Sequence, residues 1–216
     1  MTSSGSPQYV SPLRLAVLLL AAGEGSRLGS RPKALIKKNE QSLLECFLGA
    51  VKPFAPVELV LLTGFHANAI EPEALKFGHA LTCPITIIRN PNPERGQASS
   101  IRLGLESLKS DFDILLVALS DQPNITHIEI ALLLETFNQR ALGEEMVLPM
   151  VNGQRGNPVV FSRRVIQNIL GQPNLVCRTY MDTHPEEIHL LATSNTAFVL
   201  DVDTMEDIQN LGLRII

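Results

Sequence analysis

Hydrophobic positions along the chain fall into two alternating rhythms. Continuous apolar runs of strand length occupy 15–20, 58–62, 85–88, 114–118 and 146–148, and each predicts a strand. Between them, apolar residues recur at helical spacing over 42–51, 67–77, 98–108 and 125–139. The order βαβαβαβαβ predicts an α/β protein, a three-layer α/β/α sandwich on a mostly parallel, Rossmann-like sheet. Beyond residue 149 the rhythm changes. A polar, glycine-containing turn at 152–156 precedes a short β-like run at 158–161 and helices over 162–170 and 175–183. Two more β-like runs follow at 188–191 and 197–200, then a last helix at 204–211. With neither an internal repeat nor a linker-like stretch, residues 13–216 read as one domain behind a flexible tail, 1–12.

Composition narrows the function. A chain of 216 residues with 45% hydrophobic positions can bury a core without disulfide or metal support. It has no Trp, eight Phe and two Tyr, so aliphatic side chains must fill that core. The net charge of −4 comes without a Lys/Arg cluster, which argues against a nucleic-acid partner. Cys46, Cys83 and Cys177 are isolated and odd in number, which argues against a secreted disulfide framework and a thiolate zinc site. The apolar run 15–22 is far shorter than the ~20 residues that cross a bilayer. The uncharged segment before it is unlike a signal peptide. The expectation is a soluble, cytoplasmic protein with no membrane partner. His66, His79, His127, His184 and His189 are scattered and take surface or packing roles.

Ligands of such sheets bind beyond the C-terminal ends of the strands. There the chain carries Ala21-Ala22-Gly23-Glu24-Gly25-Ser26-Arg27, Thr63-Gly64, Arg89-Asn90-Pro91 and Ser120-Asp121-Gln122-Pro123. Glycines let backbone N–H groups approach an anion, and Arg27 and Lys33 add a planar fork and a point charge suited to a triphosphate. The loop is not a dinucleotide fingerprint, because its glycines fall at 23, 25 and 29 with Leu28 at the third required position. It is not a P-loop either, for no Gly-Lys-Ser/Thr follows. Ser99 and Ser100 suit either helix capping or ligand contact. Asp121 suits either capping of the next helix or a hard-metal site. Asp203 and Thr204 likewise fit a helix N-terminus or, for Asp203, a metal ligand.

The stretch 20–29 followed by Pro32-Lys33 resembles the signature loop of the molybdopterin nucleotidyltransferase (MobA-like NTP transferase) family, and is most like that of the molybdenum cofactor cytidylyltransferases. The resemblance runs from about residue 14 to 211. Further stations are Asn90…Gly96…Ser100, Asp121-Gln122-Pro123 and Asp201-Val202-Asp203-Thr204-Met205-Glu206-Asp207, where Met205 stands at a usual proline. The resemblance implies a nucleotidyltransferase-type fold with its nucleotide side at about 13–150 and its acceptor side at about 151–216. It implies a nucleotide contacted by Leu20, Ala21, Ala22, Gly23, Gly25, Ser26, Arg27, Lys33, Thr63, Asn90, Gly96 and Ser100. Arg27, Lys33 and Asp121 would be catalytic, Mg²⁺ would sit on Asp121 and Asp203, and Gln122 and Asn157 would meet the acceptor. Ala21-Ala22 goes with CTP rather than GTP in that family. The implied acceptor is a phosphate-bearing small molecule such as molybdopterin, or a sugar or polyol phosphate, with a molybdoenzyme as downstream partner. Two departures fall on the acceptor side. Asn157 stands where histidine is common, and 171–178 replaces a Gly-Asp-x-Gly-Ala-Arg motif. A nucleotide-binding protein or NAD(P)H-dependent reductase could reuse the same fold.

Overall fold

A computed structural model describes residues 13–78 and 81–215; the 1–12 tail and His79 lie outside the described residues. The central sheet runs from one edge to the other in the order Ile188–Thr193, Met146–Val151, Val159–Ser162, Ile114–Leu119, Leu15–Ala21, Glu58–Thr63 and Ile85–Arg89. Its middle is β1 (Leu15–Ala21), flanked by the parallel strands β4 (Glu58–Thr63) and β6 (Ile114–Leu119), with β5 (Ile85–Arg89) beyond β4. A small hairpin of β2 (Lys37–Lys38) and β3 (Gln41–Ser42) stands apart from it. On the other side, β9 (Val159–Ser162) lies between β6 and β7 (Met146–Val151) and runs antiparallel to both. The reversal begins at Asn152 and Gly153, whose φ angles of 50° and 83° match the primed turns that close tight hairpins. That turn folds β8 (Gln154–Arg155) back on β7, while β10 (Ile188–Thr193) pairs parallel to β7 at the edge.

All seven residues of β1 are buried because both faces of the sheet are covered. Leu15, Val17 and Leu19 pack with α1 (Leu43–Val51), α2 (Ala67–Gly78) and α4 (His127–Gln139). Ala16, Leu18 and Leu20 face α3 (Gln97–Glu106), α5 (Arg163–Leu170) and α6 (Cys177–Thr183). Gly104 lets α3 sit directly on β1, since a Cβ there would lie 2.5 Å from Leu18 Cδ1. Each fully buried leucine of this layer contributes about 1.5–3 kcal/mol by leaving water. A third, smaller cluster joins Leu28, Ile36 and Val202 to Ile208 of α7 (Met205–Asn210), which ties the glycine-rich loop to the end of the chain.

Helix starts follow local capping. The Ser42, Ser162 and Thr204 side chains accept from backbone N–H groups three residues on, and Thr126 with Glu129, like Thr204 with Asp207, forms a capping box. One sequence expectation fails. The run 197–200 forms no strand, and Thr196–Phe198 is a short 3-10 turn capped by the Asn195 side chain. Its apolar residues are buried without a sheet partner, and the Phe198 carbonyl instead accepts from Asn157 N and Gln122 Nε2.

Candidate active site

A cleft of about 370 Å³ opens where the C-terminal ends of β1 and β6 meet the loops that follow β4 and β5. One wall is the glycine-rich loop. Gly25 O accepts from Leu28 N at 2.9 Å and from Ser30 N at 3.0 Å, which closes the loop on itself. The closure needs glycine: Gly25 has φ +66°, and a Cβ there would stand 2.3 Å from Arg31 O. Leu28 is buried in the third cluster, so the charged residues around it are directed outward.

Lys33, at the start of a short turn, reaches into the cleft. Its Nζ donates to Asp121 Oδ2 at 3.0 Å and to Asp203 Oδ1 at 2.5 Å, while Arg27 Nη1 donates to Asp203 Oδ2 at 2.9 Å. Burial pulls the Lys33 ammonium down, but the charge of Asp121 and the hydrogen bonds of both carboxylates outweigh it and hold the pKa above its ordinary value. The Lys33 hydrogen bond, with the charges of Lys33 and Arg27, holds Asp203 below the usual carboxylate range. Asp201 behaves oppositely: burial, then the negative charge of Asp121, pushes it up to about 6. Its Oδ1 and the Oε1 of Gln122 are buried without partners.

Capping and ligand roles separate here. Thr126 caps α4 and Thr204 with Asp207 caps α7, so the Asp121 and Asp203 side chains are left to the cleft. No serine side chain caps α3; Ser99 Oγ donates to Gly96 O, and both Ser99 and Ser100 accept from Asn90 Nδ2. Asp121 and Asp203 converge on one cationic centre and offer hard oxygens. That is a donor set suited to a divalent cation shared with phosphate oxygens rather than to a closed protein cage. The described residues contain no group of three or more His, Cys, Asp or Glu arranged to enclose a metal.

Leu20, Ala21, Ala22, Gly23, Gly25, Ser26, Arg27, Lys33, Gly96, Ser100, Asp121 and Asp203 all line this cleft. Thr63 and Asn90 stand behind the wall. Thr63 Oγ1 donates to Glu71, which also holds Arg89, and Asn90 Oδ1 accepts from Asn92 N to shape the loop after β5. Gln122 is buried against Phe198. Asn157 lines a second, adjoining cavity of about 150 Å³, largely apolar, with Arg155, Arg178 and Cys177 on its wall. Burial pushes the Cys177 thiol up to about 12, so it remains protonated near neutral pH. His66 packs as expected of a scattered histidine, but with a specific partner: Nε2 lies 2.7 Å from Glu24 O and joins the loop after β4 to the glycine-rich loop. Sequence reasoning missed Phe65, Gln97 and Arg178 as lining residues; their only signal was position just beyond a strand or at a helix start.

The fold and the convergent cations and carboxylates define an α/β protein of the nucleotidyltransferase type. The family model for the MobA-like NTP transferase domain matches residues 17–176, and the chain belongs to that family. It is 24% identical to the molybdenum cofactor cytidylyltransferase of Escherichia coli over 193 residues, covering 88% of this chain and 91% of that one. It is 26% identical to the nicotine blue oxidoreductase of Paenarthrobacter nicotinovorans over 201 residues, covering 90% and 94%. A shorter match, 35% over 115 residues, joins 52% of the chain to the bifunctional protein GlmU of Mycobacterium avium, of whose length the chain spans only 23%. Among solved structures, Rv0371c of Mycobacterium tuberculosis superposes with a TM-score of 0.71 at 22% identity, over 94% of this chain and 98% of that one. Rv0371c in complex with manganese gives 0.67 at 21% identity, over 93% and 98%. These superpositions establish the fold. No helix among the described residues is long and apolar enough to cross a membrane.

Proposed function

We propose that this chain transfers CMP from CTP, with Mg²⁺, to a phosphate-bearing small molecule such as molybdopterin, releasing pyrophosphate. The observation that carries the proposal is the convergence of Lys33 Nζ, Asp121 and Asp203 beside Arg27 at the mouth of a glycine-rich loop. Support for the finer reading comes from Ala21-Ala22 in that loop and from the full-length match to the cytidylyltransferase. The manganese complex of Rv0371c supports use of a divalent cation.

In this reading an acceptor phosphate oxygen forms a bond to the α-phosphorus while the bond from that phosphorus to the β-phosphate bridge breaks. The acceptor phosphate is already ionised near neutral pH, so the chain supplies no nucleophile. It orients the two phosphates and stabilises the charge that develops on pyrophosphate. Arg27 and Lys33 carry that charge, and the loop amides hold the triphosphate. A bound Mg²⁺ would be held by Asp121 and Asp203 and would supply charge neutralisation on the phosphates. Asn157, with no titratable proton at neutral pH, orients the acceptor by hydrogen bonding rather than by acid–base exchange.

A pyrophosphate-release screen of CTP and GTP against molybdopterin and common sugar phosphates tests the proposal. CTP with molybdopterin should be turned over fastest, and Lys33→Ala should abolish release. A sugar or polyol phosphate as the preferred partner would move the assignment within the class, and tighter binding of GTP than CTP would overturn the cytidylyl reading. The match to nicotine blue oxidoreductase favours a second reading, an NAD(P)H-dependent reductase on the same fold. It predicts NADPH oxidation with no pyrophosphate formed.

A further inference from the structure

The cleft has two chemically distinct ends. The cluster of Lys33, Asp121 and Asp203 lies on the β6 side of β1, where Asp121 follows β6. The opposite end lies beyond β4 and β5 and is built from Phe65, Pro93 and Gly96. Phe65 is one of only eight phenylalanines in the chain, yet it is 43% exposed and lines the cleft. Its position is fixed on both sides. Gly64 is pressed so closely that a Cβ would stand 2.8 Å from Ala22 O and 2.9 Å from Pro93 Cβ, and His66 Nε2 lies 2.7 Å from Glu24 O. An aromatic ring is therefore held in contact with solvent at the end of the cleft away from Lys33, Asp121 and Asp203.

We propose that Phe65 is the platform on which the base of the nucleoside triphosphate stacks. This rests on the nucleotidyl-transfer reading and adds to it a residue that neither the loop pattern nor the family resemblance singled out. With the triphosphate on Lys33 and Arg27, the base extends toward the β4 and β5 side, where an exposed ring gains from covering its apolar face. Stacking is tolerant of base identity because every base presents a π-face. Phe65 thus contributes affinity for both CTP and GTP, and discrimination between them falls to hydrogen-bonding groups elsewhere in the cleft.

The chain contains no tryptophan, so Phe65→Trp installs a single fluorescent reporter. The expected result is quenching of that indole by CTP with Mg²⁺ and no quenching by tripolyphosphate with Mg²⁺. By calorimetry, Phe65→Ala should weaken CTP about 5- to 100-fold, as removal of one stacking partner does, and leave tripolyphosphate within about twofold. Phe65→Leu, which keeps apolar bulk, should show most of the same loss, whereas Phe65→Tyr should retain affinity. Equal losses for CTP and tripolyphosphate would mean that Phe65 only shapes the loop, and unchanged CTP affinity in Phe65→Ala would mean that the base lies elsewhere; either overturns the proposal. If the wild-type chain bound neither CTP nor tripolyphosphate, the nucleotidyl-transfer reading itself would fall, and the platform with it.

Discussion

Replacing Lys33 with methionine removes a charge while keeping most of the side-chain volume. The ammonium lies 3.0 Å from Asp121 and 2.5 Å from Asp203, and Lys33 is 19% exposed against 20% and 40% for the two carboxylates. At an effective dielectric near 20, each contact amounts to about 5–7 kcal/mol of gross attraction. Desolvation of the three groups and solvent screening at the exposed Asp203 offset most of that, which leaves a net loss of about 2 kcal/mol. For a domain of this size such a loss lowers Tm by about 4–8 °C. In Lys33→Met the two carboxylates also lose the cation that bridges them, and Arg27 remains on Asp203 alone. Added Mg²⁺ should therefore raise the Tm of the variant more than that of the wild type, whose Lys33 competes for the same oxygens. The assay is thermal unfolding followed by circular dichroism, with and without Mg²⁺ at constant ionic strength. A variant as stable as wild type without Mg²⁺, or one stabilised by Mg²⁺ no more than wild type, would refute the reasoning.

Gly25→Ala should cost about 2–3 kcal/mol, since it combines a left-handed φ with a backbone clash against Arg31, and it should abolish CTP binding measured by calorimetry. Hydrogen bonds from Arg14 hold Asp113 down to about 2. A carboxylate depressed in the folded state contributes stability that is present above its unfolded pKa and is lost as pH falls through the folded value. Asp113→Asn should accordingly lower stability near neutrality and flatten the acid limb of a urea-unfolding profile between about pH 4 and pH 2, so that variant and wild type converge at the acid end. Arg178 is exposed on the wall of the second cavity and forms no ion pair among the described residues, whereas Arg155 beside it is paired with Asp182. Arg178→Ala should raise KM for the acceptor at least about tenfold, as loss of a charge-assisted contact does, and leave the Kd for CTP unchanged.

Much of the sheet is readable from side chains alone. A strand covered on both faces must be apolar throughout, and Leu15–Ala21 is; helices that cover it show one apolar stripe each. The same logic misleads at 197–200, where Ala197 and Phe198 reach the core from a 3-10 turn and the Phe198 carbonyl bonds to Asn157 and Gln122 rather than to a strand. The antiparallel setting of β9 was not legible either, for it follows from backbone turns at Asn152 and Gly153 rather than from hydrophobic pattern. In the site, each charged group was visible at a strand end, yet nothing in local spacing joins Lys33 to carboxylates 88 and 170 positions away. Family resemblance supplied that link, and the parallel sheet order supplies its physical cause. Phe65 escaped notice because a lone aromatic after a strand looks like core, and only its exposure shows that it faces the cleft.

The most direct test of nucleotidyl transfer follows the α-phosphorus itself. CTP carrying a labelled α-phosphate is incubated with Mg²⁺, molybdopterin and the full chain, and both labelled product and pyrophosphate are counted. The account predicts label in the acceptor, one pyrophosphate released per label transferred, and neither product with Lys33→Ala. Label remaining in CTP, or appearing in free CMP without acceptor product, would contradict it.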